Sequence, residues 1–347
     1  MAVVDAERVP AGTTRRRRAR RAVLVLGLVV LLLVALVAAA VLVVSEQLGG
    51  NVERVPGAFA GLDERSRPAA SEALTFLLVG TDTRSDAPTT GEDAGGAVGG
   101  DRSDVLMVAR LDPSGTSGSV VSIPRDSWVD IPGRGLDKIN AAYAFGGPPL
   151  LISTVEQLTG LRIDHFGVID FAGFEAMIDA VGGIDVAVSE ATSSDGVEFR
   201  QGLNHLDGAA ALTFVRQRYE LQGGDLDRAQ RQQAVLRALL AKAASGGTFS
   251  DPGALLRLLD AASRSVGVDD TLTNGGLRAL ALRSTGLRPS AVTFVRAPVA
   301  GLGREGEQSV VRLDEEAAQE LWLAVRDGRT VAYADSHPDD ALGTATR

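Results

Sequence analysis

Residues 22–44, AVLVLGLVVLLLVALVAAAVLVV, form an unbroken apolar run of 23 residues. At about 1.5 Å rise per residue, a helix of this length crosses a hydrocarbon core of roughly 30 Å. Arg15–Arg18, Arg20 and Arg21 precede the run. Basic residues collect on the cytoplasmic side of a membrane, so the chain after residue 44 is expected outside it. A cleaved signal peptide has a shorter apolar core, about 7–15 residues, so the run reads as an uncleaved single-pass anchor.

The chain beyond the anchor is acidic. In residues 1–21 seven arginines stand against Asp5 and Glu7, a balance of +5, so the rest of a chain of net charge −9 carries −14. Such a body is a poor match for a phosphate backbone, which argues against nucleic acid as a partner. Cysteine is absent, and with it disulfides, thiolate metal sites and cysteine nucleophiles. His165, His205 and His337 are too scattered for a zinc motif, and there is no G-x-S-x-G turn. Aromatic residues make up 4% of the chain, which disfavours an extended surface that stacks on sugars or bases. The 45% apolar content is enough for a packed core.

Residues 45–72 are polar and lack a clear period, and read as a linker. Beyond them T-F-L-L-V-G (75–80), D-V-L-M-V-A-R-L (104–111) and S-V-V-S-I (119–123) have β character, with a Gly/Asp/Thr-rich loop over 85–101 and a turn at 112–118. Together they predict a three-strand meander. Helical and β-like segments then alternate: helices at 148–159, 171–181, 226–244 and 314–326, strands at 166–170, 184–188 and 291–296. The class is mixed α/β.

The meander has a consequence for chemistry. If its strands pair antiparallel, the end of the first, the start of the second and the end of the third lie at one rim. Asp82 and Arg84, Arg102 and Asp104, and Arg125 and Asp126 are then brought there. Carboxylates suit a hard divalent cation that keeps waters and binds substrate phosphate. Guanidinium forks suit phosphate oxygens. The plain alternative is a set of solvated loop charges, each pair worth about 0–1 kcal/mol.

A second basic cluster lies at 214–232. Arg216 and Arg218 are two apart and share a face if that stretch is extended. Asp225 is placed to cap the following helix, with Arg228 in its first turn and Gln232 one turn on. Cations are disfavoured at a helix N-terminus unless an anion compensates, so the arrangement points to an anionic ligand. A wet surface pair of Asp225 with Arg228 explains the same residues blandly. Lys138 is a further candidate phosphate contact. Gly146-Gly147 and Gly182-Gly183 are turn formers and make no phosphate-binding loop.

Seven stretches, in this order, carry a resemblance: F-L-L-V-G-T-D-T-R, D-R-S-D-V-L-M-V-A-R-L-D, S-I-P-R-D-S-W-V, D-K-I-N-A-A-Y-A-F-G-G, D-F-A-G-F-E-A-M-I-D-A-V-G-G-I-D-V, L-D-G-A-A-A-L-T-F-V-R-Q-R and G-D-L-D-R-A-Q-R-Q-Q. They cover about 73–244 and resemble the LytR-CpsA-Psr family. The resemblance implies a three-layer α/β/α fold with a central mixed sheet and a hydrophobic tunnel for a polyprenyl tail. It also implies transfer of a glycopolymer (teichoic acid, capsule or arabinogalactan) from a polyprenyl-pyrophosphate carrier onto peptidoglycan through a phosphodiester. By residue, it implies Mg2+ at Asp82 and Asp104. It matches Arg102, Arg125, Arg216, Arg218, Arg228 and Gln232 to the pyrophosphate-binding set, and Asp225 to the acidic residue before the helix. Arg84 and Lys138 join the substrate-binding candidates on their own placement, and Asp82, Asp104, Arg125 and Asp225 form the catalytic set.

The division of the chain is then a cytoplasmic tail (1–21), the membrane helix (22–44), an extracytoplasmic linker (45–72) and a catalytic domain (73–245). A segment completing the fold (246–330) and a disordered tail (331–347) come after it. Two rival readings use the same residues: a pyrophosphatase with water as acceptor, and a non-catalytic membrane-anchored binder of prenyl phosphates.

Overall fold

Strand β2 (Leu74–Thr81) alternates: Leu77 and Val79 are buried on one face, while Phe76 and Leu78 point to the other. β3 (Ser103–Leu111) pairs antiparallel with β2, and β4 (Gly118–Ser122) antiparallel with β3, so the expected meander forms. Four further strands complete a seven-stranded sheet: β1 (Glu53–Val55), β5 (His165–Asp170), β6 (Val266–Asp269) and β7 (Val292–Arg296). The order is β1-β6-β5-β2-β3-β4-β7. β5 runs parallel to β2, β7 parallel to β4 and β1 parallel to β6, whereas β6 is antiparallel to β5. The sheet is therefore mixed. This computed structural model describes residues 46, 49–81, 103–217, 225–245 and 252–346, with the backbone alone for Ser103, Asp104, Asp225, Pro252, Ala254 and Leu255. The run 22–44 lies outside the described residues, among which no helix is long and apolar enough to cross a membrane.

Helices cover both faces. On one, α1 (Ile139–Thr159) packs Ile139, Leu151, Ile152 and Val155 against Leu77, Leu106, Val108 and Val121 of the sheet. On the other lie α2 (Phe171–Ala180), α3 (Gly208–Arg216) and α4 (Asp225–Ala243), and there Leu236 and Leu240 meet Met107, Val120 and Phe294. The helix expected at 148–159 begins earlier, at Ile139, and is broken at Gly146-Gly147, where Gly147 takes φ 60° ahead of two prolines. α5 (Pro252–Ser265) and α6 (Asn274–Arg283) come next, then α7 (Glu315–Arg326), which adds Leu321, Trp322 and Val325 to the α1 side.

Two boundary expectations are corrected. Residues 53–55, within the supposed linker, form the edge strand β1, and Arg67 forks onto Glu156 at 2.8–3.1 Å with both side chains buried. The supposed disordered tail contains α8 (Thr330–Ser336), and Ala341 bridges Val295 on β7 while Thr346, 1% exposed, bridges Val188. Polar composition hid both segments. They are held by backbone pairing along sheet edges that would otherwise leave rows of N–H and C=O groups unmet.

Asp269, at the end of β6, is fully buried. It accepts from Phe166 N at 3.0 Å, His165 Nδ1 at 3.2 Å, Leu272 N at 3.0 Å, Thr271 N at 3.1 Å and the Thr271 hydroxyl. Burial pushes its carboxyl up, but the bonds from His165, Thr271 and Phe166 outweigh this and hold it below the usual range. A depressed folded-state value stabilises above the unfolded value of about 3.9 and is lost as pH falls below it. Asp269→Asn is expected to be less stable than the parent at pH 7 by about 2–3 kcal/mol in urea unfolding, the gap narrowing towards pH 3.

Candidate active site

The antiparallel meander sets the end of β2 beside the start of β3. Gly80 pairs with Val105 and Thr81 with Ser103, so Asp104 is the extra residue of a β-bulge at the end of the ladder. Bulges of this kind re-aim a side chain beside a site. Gly80 has no room for a methyl group, since a Cβ there would stand 2.9 Å from Val105. Asp170, opposite Thr81 on β5, caps α2 by accepting from Gly173 N at 2.8 Å. The chain leaves β4 at Ser122 and turns to Arg125 and Asp126.

There the hairpin Trp128–Ile131/Gly135–Lys138 folds back and delivers Lys138. Its Nζ is 3.1 Å from Asp126 Oδ1, and Arg125 Nε is 3.6 Å from Asp126 Oδ2. All three side chains are largely buried. Asn140 N donates to Arg125 O at 3.2 Å, and so fixes the start of α1 on the same loop. Lys138 is thus part of the constellation.

From the second cluster, Arg216 and Gln232 come to the end of β2 and β5 from the α2–α4 side. Arg216 is the last residue of a helix and not part of an extended stretch: Asp207 caps α3 by accepting from Ala210 N at 2.8 Å, and a run of alanines propagates it. Its exposed guanidinium lies 4.6 Å from the centroid of Phe171, the residue after Asp170. α4 starts at Asp225 with Arg228 in its first turn, 4% exposed. Gln233 pins this helix to the sheet, donating to Ser122 Oγ at 2.9 Å and Val295 O at 2.5 Å. Asp82, Arg84, Arg102 and Arg218 lie outside the described residues, as do the side chains of Asp104 and Asp225.

Sequence reading missed Arg231, whose only signal was its place three residues after Arg228. It is fully buried, donates to Gln217 Oε1 at 2.5 Å and Thr192 Oγ1 at 3.0 Å, and lies over the rings of Phe214 and Phe199 at 4.2 and 5.9 Å. Burial pulls its pKa down to about 10, with Asp227 opposing. Gln217 stands between Arg216 and Arg218, so Arg231 braces the segment that carries them. Arg231→Met is expected to lower stability by about 2–4 kcal/mol, because the buried Gln217 and the half-buried Thr192 lose their donor. Lysine will not restore it, since a point charge cannot fork to both. Urea midpoints of the two variants check this.

Behind the rim an apolar cavity of about 230 Å³ lies between the sheet and α2–α4. Leu78, Val105 and Met107 form its floor, Phe174 and Met177 one wall, and Leu212, Val215, Leu236 and Leu239 the other. Gly167 opens the floor further by having no side chain. Gly80, Asp170 and Gln232 stand at its rim end. A molecule with an apolar tail and a polar head fits: the tail would be dry and the head would lie at Asp170 and Gln232, near the Arg216 that stacks on Phe171. Among the described residues no three His, Asp or Glu side chains are grouped to hold a metal.

A model of the LytR_cpsA_psr family matches residues 51–327. LcpB of Corynebacterium glutamicum, a probable cell wall biosynthesis protein, is 37% identical over 263 residues, 74% of this chain and 62% of that one. TagU of Bacillus mycoides, a polyisoprenyl-teichoic acid–peptidoglycan teichoic acid transferase, is 40% identical over 194 residues, 56% of this chain and 60% of that one. The crystal structure of B. subtilis TagV matches with a TM-score of 0.59 at 27% identity, covering 75% of this chain and 98% of that one. The chain spans about six tenths of the length of the curated relatives it matches.

Proposed function

The chain belongs to the LytR-CpsA-Psr family, and on that premise we propose that it transfers a glycopolymer from a polyprenyl-pyrophosphate carrier onto peptidoglycan, outside the cell membrane. The observation that carries the reading is the apolar cavity that ends at Gly80, Asp170 and Gln232, with Arg216 stacked over the adjoining Phe171 and Arg228 one helical turn before Gln232 on α4. The relatives' names support it, since LcpB is a cell wall biosynthesis protein and TagU a teichoic acid transferase. The apolar run 22–44, with its basic flank, supplies the single-pass anchor and puts the site on the outer side.

In the proposed reaction an acceptor sugar hydroxyl attacks the polymer-bearing phosphorus. The new P–O bond makes the phosphodiester, and the bond to the bridging oxygen breaks, releasing prenyl phosphate. Arg125, Arg216 and Arg228, with Arg84, Arg102 and Arg218, hold the pyrophosphate and offset the charge that gathers on the leaving oxygen. Lys138 shares Asp126 with Arg125 and so holds both cations in place. The carboxylate that takes the hydroxyl proton is Asp82 or Asp225. Asp82 and Asp104 suit Mg2+, because Asp104 is the bulge residue at the ladder's end and Asp82 is next in the chain to Thr81 there; the ion would supply further charge neutralisation on the phosphates.

The test is reconstitution of the full chain in detergent with lipid-linked polymer, Mg2+ and peptidoglycan. Polymer attached to the wall material is expected. Release of free polymer phosphate without attachment would assign the chain to hydrolysis, and prenyl phosphate bound without turnover would assign it to carriage.

A further inference from the structure

A second depression adjoins the rim, on the outer face of the hairpin Trp128–Ile131/Gly135–Lys138. In that hairpin Trp128 pairs with Lys138 and Asp130 with Leu136. Directly opposed residues, and residues two apart, share a face. Trp128, Asp130, Leu136 and Lys138 therefore stand on one side, while Val129 and Ile131 are buried in the core on the other. Trp128, Asp130 and Leu136 line a groove of about 770 Å³ whose far wall holds Arg312, Asp314 and Glu315. Trp128, which lines the groove, is the cross-strand partner of Lys138, and Lys138 pairs with Asp126, so the groove adjoins that loop. The two walls are locked together at that end, because Ser127 bridges Val311 and Val311 N donates to Asp126 O at 2.8 Å.

We propose that this groove is the acceptor subsite and binds the amino-sugar backbone of peptidoglycan. The proposal rests on the transfer reading for the identity of the acceptor. Its chemistry differs from that of the rim. The groove sets the carboxylates of Asp130, Asp314 and Glu315 against one guanidinium, Arg312, which is already paired with Glu305. That balance repels a pyrophosphate or a polyanionic polymer and suits hydroxyl and acetamido N–H donors. Gln157 donates to Asp130 Oδ2 at 2.9 Å, orienting the carboxylate while its second oxygen can receive a sugar hydroxyl. Trp128 offers an aromatic surface to the C–H face of a pyranose. In a chain so poor in aromatic residues, one ring on an open groove beside the site makes a single sugar-stacking position, not an extended surface.

Two measurements on the full chain test this. Trp128→Leu and Asp130→Ala are expected to raise the half-saturating peptidoglycan concentration for transfer about tenfold, leaving donor binding within about twofold. The chain has two tryptophans, and Trp322 is buried in the core, so quenching by neutral acrylamide reports mainly on Trp128. A soluble, uncharged N-acetylglucosamine oligosaccharide should protect it from acrylamide. Thermal melting of both variants separates loss of fold from loss of site. Unchanged half-saturation in folded variants, or no protection by the oligosaccharide, overturns the proposal. If the parent chain transfers nothing, the functional reading fails while oligosaccharide protection still decides the subsite.

Discussion

Arg228→Ala is expected to lose lipid-linked substrate binding and transfer together, whereas Asp104→Ala keeps most of the binding and transfers about 10²–10³ times more slowly. The contrast comes from where the two residues sit. Arg228 is a buried guanidinium in the first turn of α4, one turn before the Gln232 that stands at the end of the cavity. Removing a bidentate phosphate contact costs about 3 kcal/mol, or roughly a hundredfold in Kd. Asp104 is a carboxylate at the bulge where the β2–β3 ladder ends, and its proposed contribution is made to charge that develops as the phosphate bond breaks. A prenyl-phosphate binding assay run beside the transfer assay reads the split. Equal loss of binding in both variants would remove Asp104 from the catalytic set.

Leu236→Trp is expected to weaken binding of a long prenyl pyrophosphate about a hundredfold while leaving inorganic pyrophosphate binding nearly unchanged. Leu236 lines the cavity from α4 and is only partly buried by protein, so a larger side chain grows into the void. Each methylene excluded from the cavity forfeits about 0.8 kcal/mol, and an indole displaces several. On the proposed reading the head group would lie one turn of helix away, at Gln232, and would not be touched. Calorimetry with the two ligands checks it, and equal weakening of both would show that the cavity does not hold the tail.

The meander was legible in the sequence for a physical reason. Alternation of period two identifies strands, short turns join them antiparallel, and antiparallel order alone sends the end of the first, the start of the second and the end of the third to one side. Helices α2, α4 and α7 were legible in the same way, from spacing and stop signals. Arg216 was misplaced on an extended stretch because its neighbours Gln217 and Arg218 show no period, while the alanines behind it extend a helix up to it. Lys138 was a candidate phosphate contact from its chemistry alone, but its pairing with Asp126 needed the hairpin to bring it there. Arg231 was invisible as a brace, since a burial of this kind depends on Phe199, Phe214, Gln217 and Thr192 arriving from elsewhere.

By itself, the sequence determined the class of fold and the meander, because these depend on periods and connections only a few residues long. Tertiary structure alone decided the rest. The partners of β1 and of the C-terminal segment are chosen through backbone hydrogen bonds, which carry no side-chain signature. The apolar cavity and the Trp128 groove are spaces left where side chains from several elements stop, so no single stretch of residues encodes them.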